Sequence, residues 1–238
     1  MNYADCFALL DDASPDAGQA RSRLYTGCKA VLRCDGIEGW PQVLADMQAA
    51  LARGQHAVTV LAYELGGLIL GVDARHQHAP LAQVLLFDSC TRLAPHEVAA
   101  WLESQTPPGD AAAGIAQVRA NVDQAEFTRA LNRIHDYIAA GDTYQVNYTY
   151  RLRFDAFGSL HALYARLRAR QPVPYGALIG LPNGEAVLSL SPELFVRHTA
   201  GMLETRPMKG TAPASGDDAD DALRAAALAA DTKNRAEN

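Results

Sequence analysis

The chain has 238 residues, 49% of them apolar, and a formal charge of −6, values ordinary for a globular protein of one large or two small domains. An acidic balance without any Lys/Arg block excludes the footprint of a nucleic-acid binder, and no apolar run approaches the roughly 18–20 residues of a membrane span. Met1 to Cys6 lack the basic and apolar regions of a secretory leader, and the cysteines at 6, 28, 34 and 90 lack the paired spacing of a zinc site; reduced thiols and a cytoplasmic location are expected.

Phe7 to Leu10 predicts a short strand, followed by turn formers from Asp11 to Asp16. Ser22 to Gly27 opens a second strand that continues through Val31 and Leu32. Trp40, Val43, Leu44, Met47 and Leu51 recur at helical spacing, with Pro41 near the start and Gly54 beyond the end. The apolar stretch Val58 to Leu70 predicts strands around 58–63 and 67–71, separated by Glu64 to Gly67. A further strand is expected over about 83–88 and a short helix from Pro95 to Leu102. Thr106 to Gly114 combines Pro and Gly without a large apolar residue and predicts a linker. The expected organisation is an N-terminal region, 1–105, a linker, 106–119, and a second domain, 120–238.

In the second region Asp123 and Glu126 make a capping-box pattern. Phe127, Ala130, Leu131, Ile134, Tyr137 and Ile138 form one apolar helical stripe, ended by Gly141. From Tyr144 to Phe154 the period becomes two, which predicts a strand with its apolar face in a core and with Gln145 and Asn147 on the polar face. Ser159 is placed to cap the next helix, and Leu160, Leu163, Tyr164 and Leu167 to face inward. Tyr175 to Leu181 and Glu185 to Leu190 predict a strand pair turned by Pro182-Asn183-Gly184. Leu194 to Thr199 and Met202 to Thr205 predict a hairpin around Ala200-Gly201, its second arm ending at Pro207, which cannot donate to a ladder. Lys209-Gly210-Thr211 follows in a loop. Asp217, Asp218, Asp220 and Asp221 suit the positive end of a helix that carries Leu223 and Leu228 and runs toward Asn238.

Glu193 and Lys209 on the two arms of that hairpin could serve as acid and nucleophile. A solvated surface pair accounts for the same residues. For Gln145 and Asn147 the plain alternative is a solvated strand face.

Four stretches in order carry a resemblance: Tyr137 to Asn147, Ser191-Pro192-Glu193-Leu194-Phe195, Glu204 to Thr211, and Asp231 to Asn238. Together they resemble the chorismate-utilising enzymes, which include component I of anthranilate synthase and of aminodeoxychorismate synthase and the isochorismate and salicylate synthases. Phe7 to Asp12, Ser22 to Tyr25 and Ala62-Tyr63-Glu64 match more loosely. Lys209 within Pro207-Met208-Lys209-Gly210-Thr211, and Gln145 where isochorismate-type relatives place a lysine base, resemble the aminodeoxychorismate type. An amide at 145 is no base at neutral pH, which favours amination over activation of water.

The resemblance implies an α+β fold of antiparallel sheets packed together with helices outside, incomplete at the C-terminus. It implies amination of chorismate to 4-amino-4-deoxychorismate in para-aminobenzoate and folate synthesis, with ammonia from a glutamine amidotransferase partner. Glu193 would be the general acid, its proton affinity raised beside a dianionic substrate. Lys209 would be the nucleophile, its amine kept neutral by burial or a cationic neighbour such as Arg206. Gln145, Asn147, Arg206, Gly210 and Thr211 would meet the substrate, and Glu237 would hold Mg²⁺. Asn234 stands where many relatives carry Glu. Two alternatives remain: anthranilate synthase component I or another chorismate enzyme, and an inactive fragment lacking part of the site. Neither a nucleic-acid nor a membrane partner is expected.

Overall fold

A computed structural model describes residues 3, 5–14, 21–72, 80–109 and 112–237. Met1, Asn2 and Ala4, Pro15 and Asp16 of the expected first loop, Asp110 and Ala111 of the expected linker, Asn238 and the side chain of Glu237 lie outside the described residues. The elements in chain order are β1 (Phe7–Asp11), β2 (Ser22–Cys34), α1 (Trp40–Ala52), β3 (His56–Leu61), α2 (Tyr63–Ile69), β4 (Ala82–Leu93), α3 (Pro95–Ser104), β5 (Gly114–Ala120), α4 (Gln124–Ala140), β6 (Leu152–Phe157), α5 (Leu160–Arg170), β7 (Tyr175–Gly180), β8 (Ala186–Ser191), β9 (Leu194–Thr199), β10 (Met202–Arg206), α6 (Asp218–Ala230) and α7 (Thr232–Glu237). This is the expected α+β class with antiparallel sheets. The chain forms two compact units, one of residues 1–100 with 167–238 and one of residues 101–166.

The first unit is built on a six-stranded antiparallel sheet in the order β3-β4-β2-β1-β7-β8. The first half of β4 is buried on both sides. Alternation sends Leu85 and Phe87 into a cluster with Ala8, Tyr25, Val58 and Ile179. It sends Ala82, Val84 and Leu86 into a second cluster with Val43 and Ala50 of α1 and Leu65 of α2, so β4 is apolar on both faces. At the β1–β2 end the sheet holds a buried polar clamp. Arg168 of α5 donates to Asp11 through Nε at 2.7 Å, Ser22 Oγ donates to the same carboxylate at 3.0 Å, and the Asp12 amide donates to Ser22 Oγ at 3.0 Å. A buried carboxylate is tolerable only with such partners.

The register carries this clamp toward the hairpin. Asp11 pairs with Gly176, and the neighbouring Tyr175 pairs with Ser191 at the end of β8. The β7–β8 turn is the expected one, with Asn183 and Gly184 at φ 65° and 77°.

Three expectations for the first unit are corrected. The stretch expected as a strand over 67–71 is instead the end of helix α2, up to Ile69, and the turn after it; the helix is entered after the extended Ala62 and carries Glu64 in its first turn. A short apolar run has no period of its own, and tertiary cover decides its state; here only Leu65 of α2 is buried, while Ile69 and Leu70 are exposed. In α1, Val43 and Ala50 face the core and Leu51 is exposed. The terminal helical run is two helices, because Asp231 adopts an extended conformation between α6 and α7.

The second unit contains α4 and the β5–β6 pair. Asp123 caps α4 by accepting from the Glu126 amide at 2.7 Å, and Gly141 ends it at φ 81°, both as expected. β5 begins at Gly114, inside the stretch expected as linker. The strand expected over 144–154 is corrected: only Leu152–Phe157 joins a ladder, with β5. Residues 145–151 lie outside any helix or strand. Alternation marks a face, but a strand also needs a partner backbone, and just upstream of β6 Asn121 donates to Arg151 O and accepts from Arg151 N without extending the ladder. Tyr148 and Tyr150 pack on Phe127 with ring centroids 5.6 and 5.9 Å apart, whereas Tyr144 is 90% exposed.

Candidate functional site

The strand β8 delivers Ser191-Pro192-Glu193 into the β9–β10 hairpin. Pro192 withdraws a donor, and the Ser191 hydroxyl closes the corner: it accepts from the Glu193 amide at 3.3 Å and donates to Glu193 O at 3.1 Å. The hairpin forms as expected, turning at Ala200 and Gly201 with φ 48° and 83°. Leu194 pairs with Arg206. Glu193 therefore lies one residue outside the ladder and Lys209 three residues beyond its other end-partner, both at the open end of one hairpin. Both side chains are exposed.

The loop after β10 is tied to α6. The Ser215 amide and hydroxyl donate to Asp221 at 2.7 and 2.9 Å, and the Gly216 amide donates to the same carboxylate at 3.3 Å. The Ser215 amide first, then its hydroxyl, hold the Asp221 carboxyl below the usual carboxylate range. Arg224 donates to Pro213 O at 3.0 Å. Asp217 caps α6 by accepting from Ala219 and Asp220. Nearer the hairpin, Gly210 adopts φ 73°, and the place its side chain would take is filled by the amide of Asn234 in α7.

Arg206 is held by a residue not assigned to the site from the sequence. Its Nε donates to Glu204 Oε1 at 2.6 Å, and Glu204 Oε2 accepts from Arg197 at 3.1 Å. Arg206, more than Arg197, keeps the Glu204 carboxyl below the usual range. Glu204, and more weakly the side chain of Tyr175, raise the proton affinity of Arg206. The signal was present in the sequence: Glu204 and Arg206 share a strand face at spacing two, and Glu204 is directly opposite Arg197.

Glu193, Arg206, Lys209, Gly210, Thr211 and the backbone of Glu237 belong to the first unit, and Gln145 and Asn147 to the second. Gln145 and Asn147 are exposed in the irregular 145–151 segment, where the Thr143 hydroxyl donates to Gln145 O at 3.1 Å. Among the described residues no group of three His, Cys, Asp or Glu side chains gathers to hold a metal. The described side chains alone therefore do not build a magnesium site. Also among them, no helix is long and apolar enough to cross a membrane.

The family model for chorismate binding enzymes matches residues 13–238. The chain belongs to this family. Its relatives include aminodeoxychorismate synthase component 1 of Klebsiella aerogenes, 39% identical over 145 residues, which are 60% of this chain and 32% of the relative. Anthranilate synthase component 1 of Streptomyces coelicolor is 39% identical over 119 residues, 50% of this chain and 23% of the relative. Aminodeoxychorismate synthase of Streptomyces griseus is 30% identical over an alignment of 279, covering 97% of this chain and 38% of the relative. The aligned stretch is thus well under half the length of each of these family members.

Proposed function

We propose that the chorismate-binding chain serves amination of chorismate to 4-amino-4-deoxychorismate, with ammonia supplied by a glutamine amidotransferase. The observation that carries this reading is the register that puts Glu193 and Lys209 at one open hairpin end. The relatives named for both aminodeoxychorismate and anthranilate synthesis leave the choice to the residues, and Lys209 favours the former. The neutral Lys209 amine attacks C2 and forms a C–N bond as both ring double bonds shift toward C4. The C4 hydroxyl leaves as water with the proton of Glu193. Ammonia then forms a bond at C4, both double bonds shift back, and the C2–N bond to Lys209 breaks. Protons lost from the two nitrogens return to the lysine and the acid, so chorismate and ammonia become aminodeoxychorismate and water. Gln145 leaves no base to activate water, and Asn147, Arg206, Gly210 and Thr211 orient the substrate. Magnesium is proposed at Glu237 with substrate oxygens and water as the other ligands.

The test transplants the chain into the matching stretch of the Klebsiella aerogenes relative and assays the product from chorismate, ammonia and Mg²⁺. Aminodeoxychorismate is expected; ortho-aminobenzoate would sink the reading, as would an inactive chimaera beside an active parent. Lys209→Ala should abolish a covalent adduct visible by mass spectrometry, and Glu193→Gln should slow the reaction about 10²–10⁴-fold. The exposure of Glu193 and Lys209 favours a second reading for these 238 residues alone: they do not turn over. Chorismate consumption by the isolated chain would overturn it.

A further inference from the structure

Asn234 is brought to the Lys209 loop by helix geometry that is independent of the hairpin. Its own amide donates to Asp231 Oδ1 at 2.8 Å, and the Asp231 amide donates to Leu228 O at 3.3 Å. One residue thus ends α6, caps α7 and orients the turn that carries Asn234. The side-chain amide then lies against Gly210. A Cβ placed on Gly210 would meet Asn234 Cγ at 2.6 Å and Nδ2 at 3.0 Å, with Oδ1 closer still. Two separate facts therefore call for glycine beside Lys209: the left-handed backbone at φ 73° and the space already filled by Asn234. The far flank of the same loop is pinned to α6 through Asp221 and Arg224. The segment that follows Lys209 thus meets α7 at Gly210 and α6 at Pro213 and Ser215, while β10 precedes it.

We propose that Asn234 is a positioning residue for Lys209, its amide seated against Gly210 so that the turn projecting the lysine amine is fixed. An amide offers two donors and an acceptor without a charge. A carboxylate at the same place would favour the ammonium form of Lys209, which cannot attack. Asn234 thus holds the loop while leaving the amine free to be neutral. The catalytic meaning of this role rests on the nucleophile reading above; the positioning itself does not.

The sequence has three lysines, Lys29, Lys209 and Lys233, so each can be followed by mass spectrometry. The 238-residue chain is labelled with trace acetic anhydride from pH 6 to 11, and the midpoint of each lysine is read. Asn234→Asp, nearly isosteric, should raise the Lys209 midpoint by about half a pH unit. Lys29, paired with Asp88 at 3.0 Å in the sheet, should not move. Asn234→Ala should speed amide exchange at Gly210 about tenfold if the contact holds the turn, with exchange across β4 unchanged. An unmoved Lys209 midpoint, or equal shifts at Lys209 and Lys29, overturns the proposal, and so does unchanged exchange at Gly210. A shifted midpoint together with Lys209→Ala that keeps chorismate amination in the chimaera leaves the positioning standing and removes the nucleophile reading.

Discussion

Arg168→Met tests the clamp that ties the sheet to the site. The Asp11 side chain is 1% exposed and that of Arg168 16%. The substitution keeps the apolar stem of the side chain and deletes the guanidinium, leaving the Ser22 hydroxyl on a carboxylate nearly sealed from water. Removing one partner of a buried pair typically costs about 3–5 kcal/mol; because one edge of the guanidinium reaches solvent, the lower figure applies, about 3 kcal/mol. With a urea slope of about 2–3 kcal/mol/M, the midpoint should fall by about 1–1.5 M. Urea unfolding followed by circular dichroism reads this directly. Asp11→Asn in the same variant removes the stranded charge and should recover most of the loss. The register predicts a second effect. Asp11 pairs with Gly176, whose neighbour Tyr175 pairs with Ser191, so amide exchange at Glu193 should accelerate in Arg168→Met. A stability change below about 0.5 kcal/mol, the range of ordinary surface substitutions, would refute the assignment of the clamp as a structural tie.

Gly141→Ala forces an L side chain to φ 81° with nothing packed nearby, so it should cost about 1 kcal/mol by backbone strain alone, read as faster exchange over the last turn of α4. Burial first, and then the neighbouring Cys6 thiol, raise Cys28 to about 11; iodoacetamide at pH 8 should modify it more slowly than a free thiol, and equal rates would refute the shielding. Because the fold holds that proton more tightly than the unfolded chain, its stabilising share is full below the ordinary value of 9.0 and is lost as pH rises toward about 11. The Asp221 carboxyl has the opposite sign. Its contribution is present above 3.8 and disappears as pH falls through the lower folded value, so Asp221→Asn should speed exchange at Ser215 and Gly216 at pH 7 and make no difference in strong acid.

Features fixed by neighbours a few residues apart were legible in the sequence. The Asp123 cap, the Gly141 stop, the Asn183-Gly184 and Ala200-Gly201 turns and the acidic start of α6 each depend on local chemistry, and each is in place. Features decided by distant chain were not. Tyr63 to Ile69 is apolar enough for strand or helix, and the pairing of β3 with β4 left it outside the sheet. Gln145 to Arg151 alternates correctly but finds no strand to pair with. The candidate site divides the same way. Glu193 and Lys209 could be placed on one hairpin because its turn is local. The contacts of Asn234 with Gly210 and of Arg168 with Asp11 join residues 24 and 157 positions apart, which no periodicity reveals.

Arg206 was a candidate for two tasks, lowering the proton affinity of Lys209 and binding a substrate carboxylate. The geometry ranks them. A guanidinium whose Nε is 2.6 Å from Glu204 has much of its field cancelled at a distance, so it is a poor lone agent for keeping a lysine neutral. The row Arg197–Glu204–Arg206 still carries one net positive charge, and Glu204 holds both guanidinia in fixed directions. A planar donor fixed by one carboxylate retains other N–H groups for a second. That arrangement suits a substrate that brings two carboxylates. In the proposed reaction the neutral amine of Lys209 would therefore have to come from exclusion of water around the hairpin end, and neither arm of the hairpin has a buried residue: Phe195 is 89% exposed and Leu203 70%, against none for Phe87 in the sheet. In the proposed reaction the sheet would supply rigidity and the hairpin the reactive groups, and the chemistry would depend on what covers the Glu193–Lys209 end when chorismate is bound.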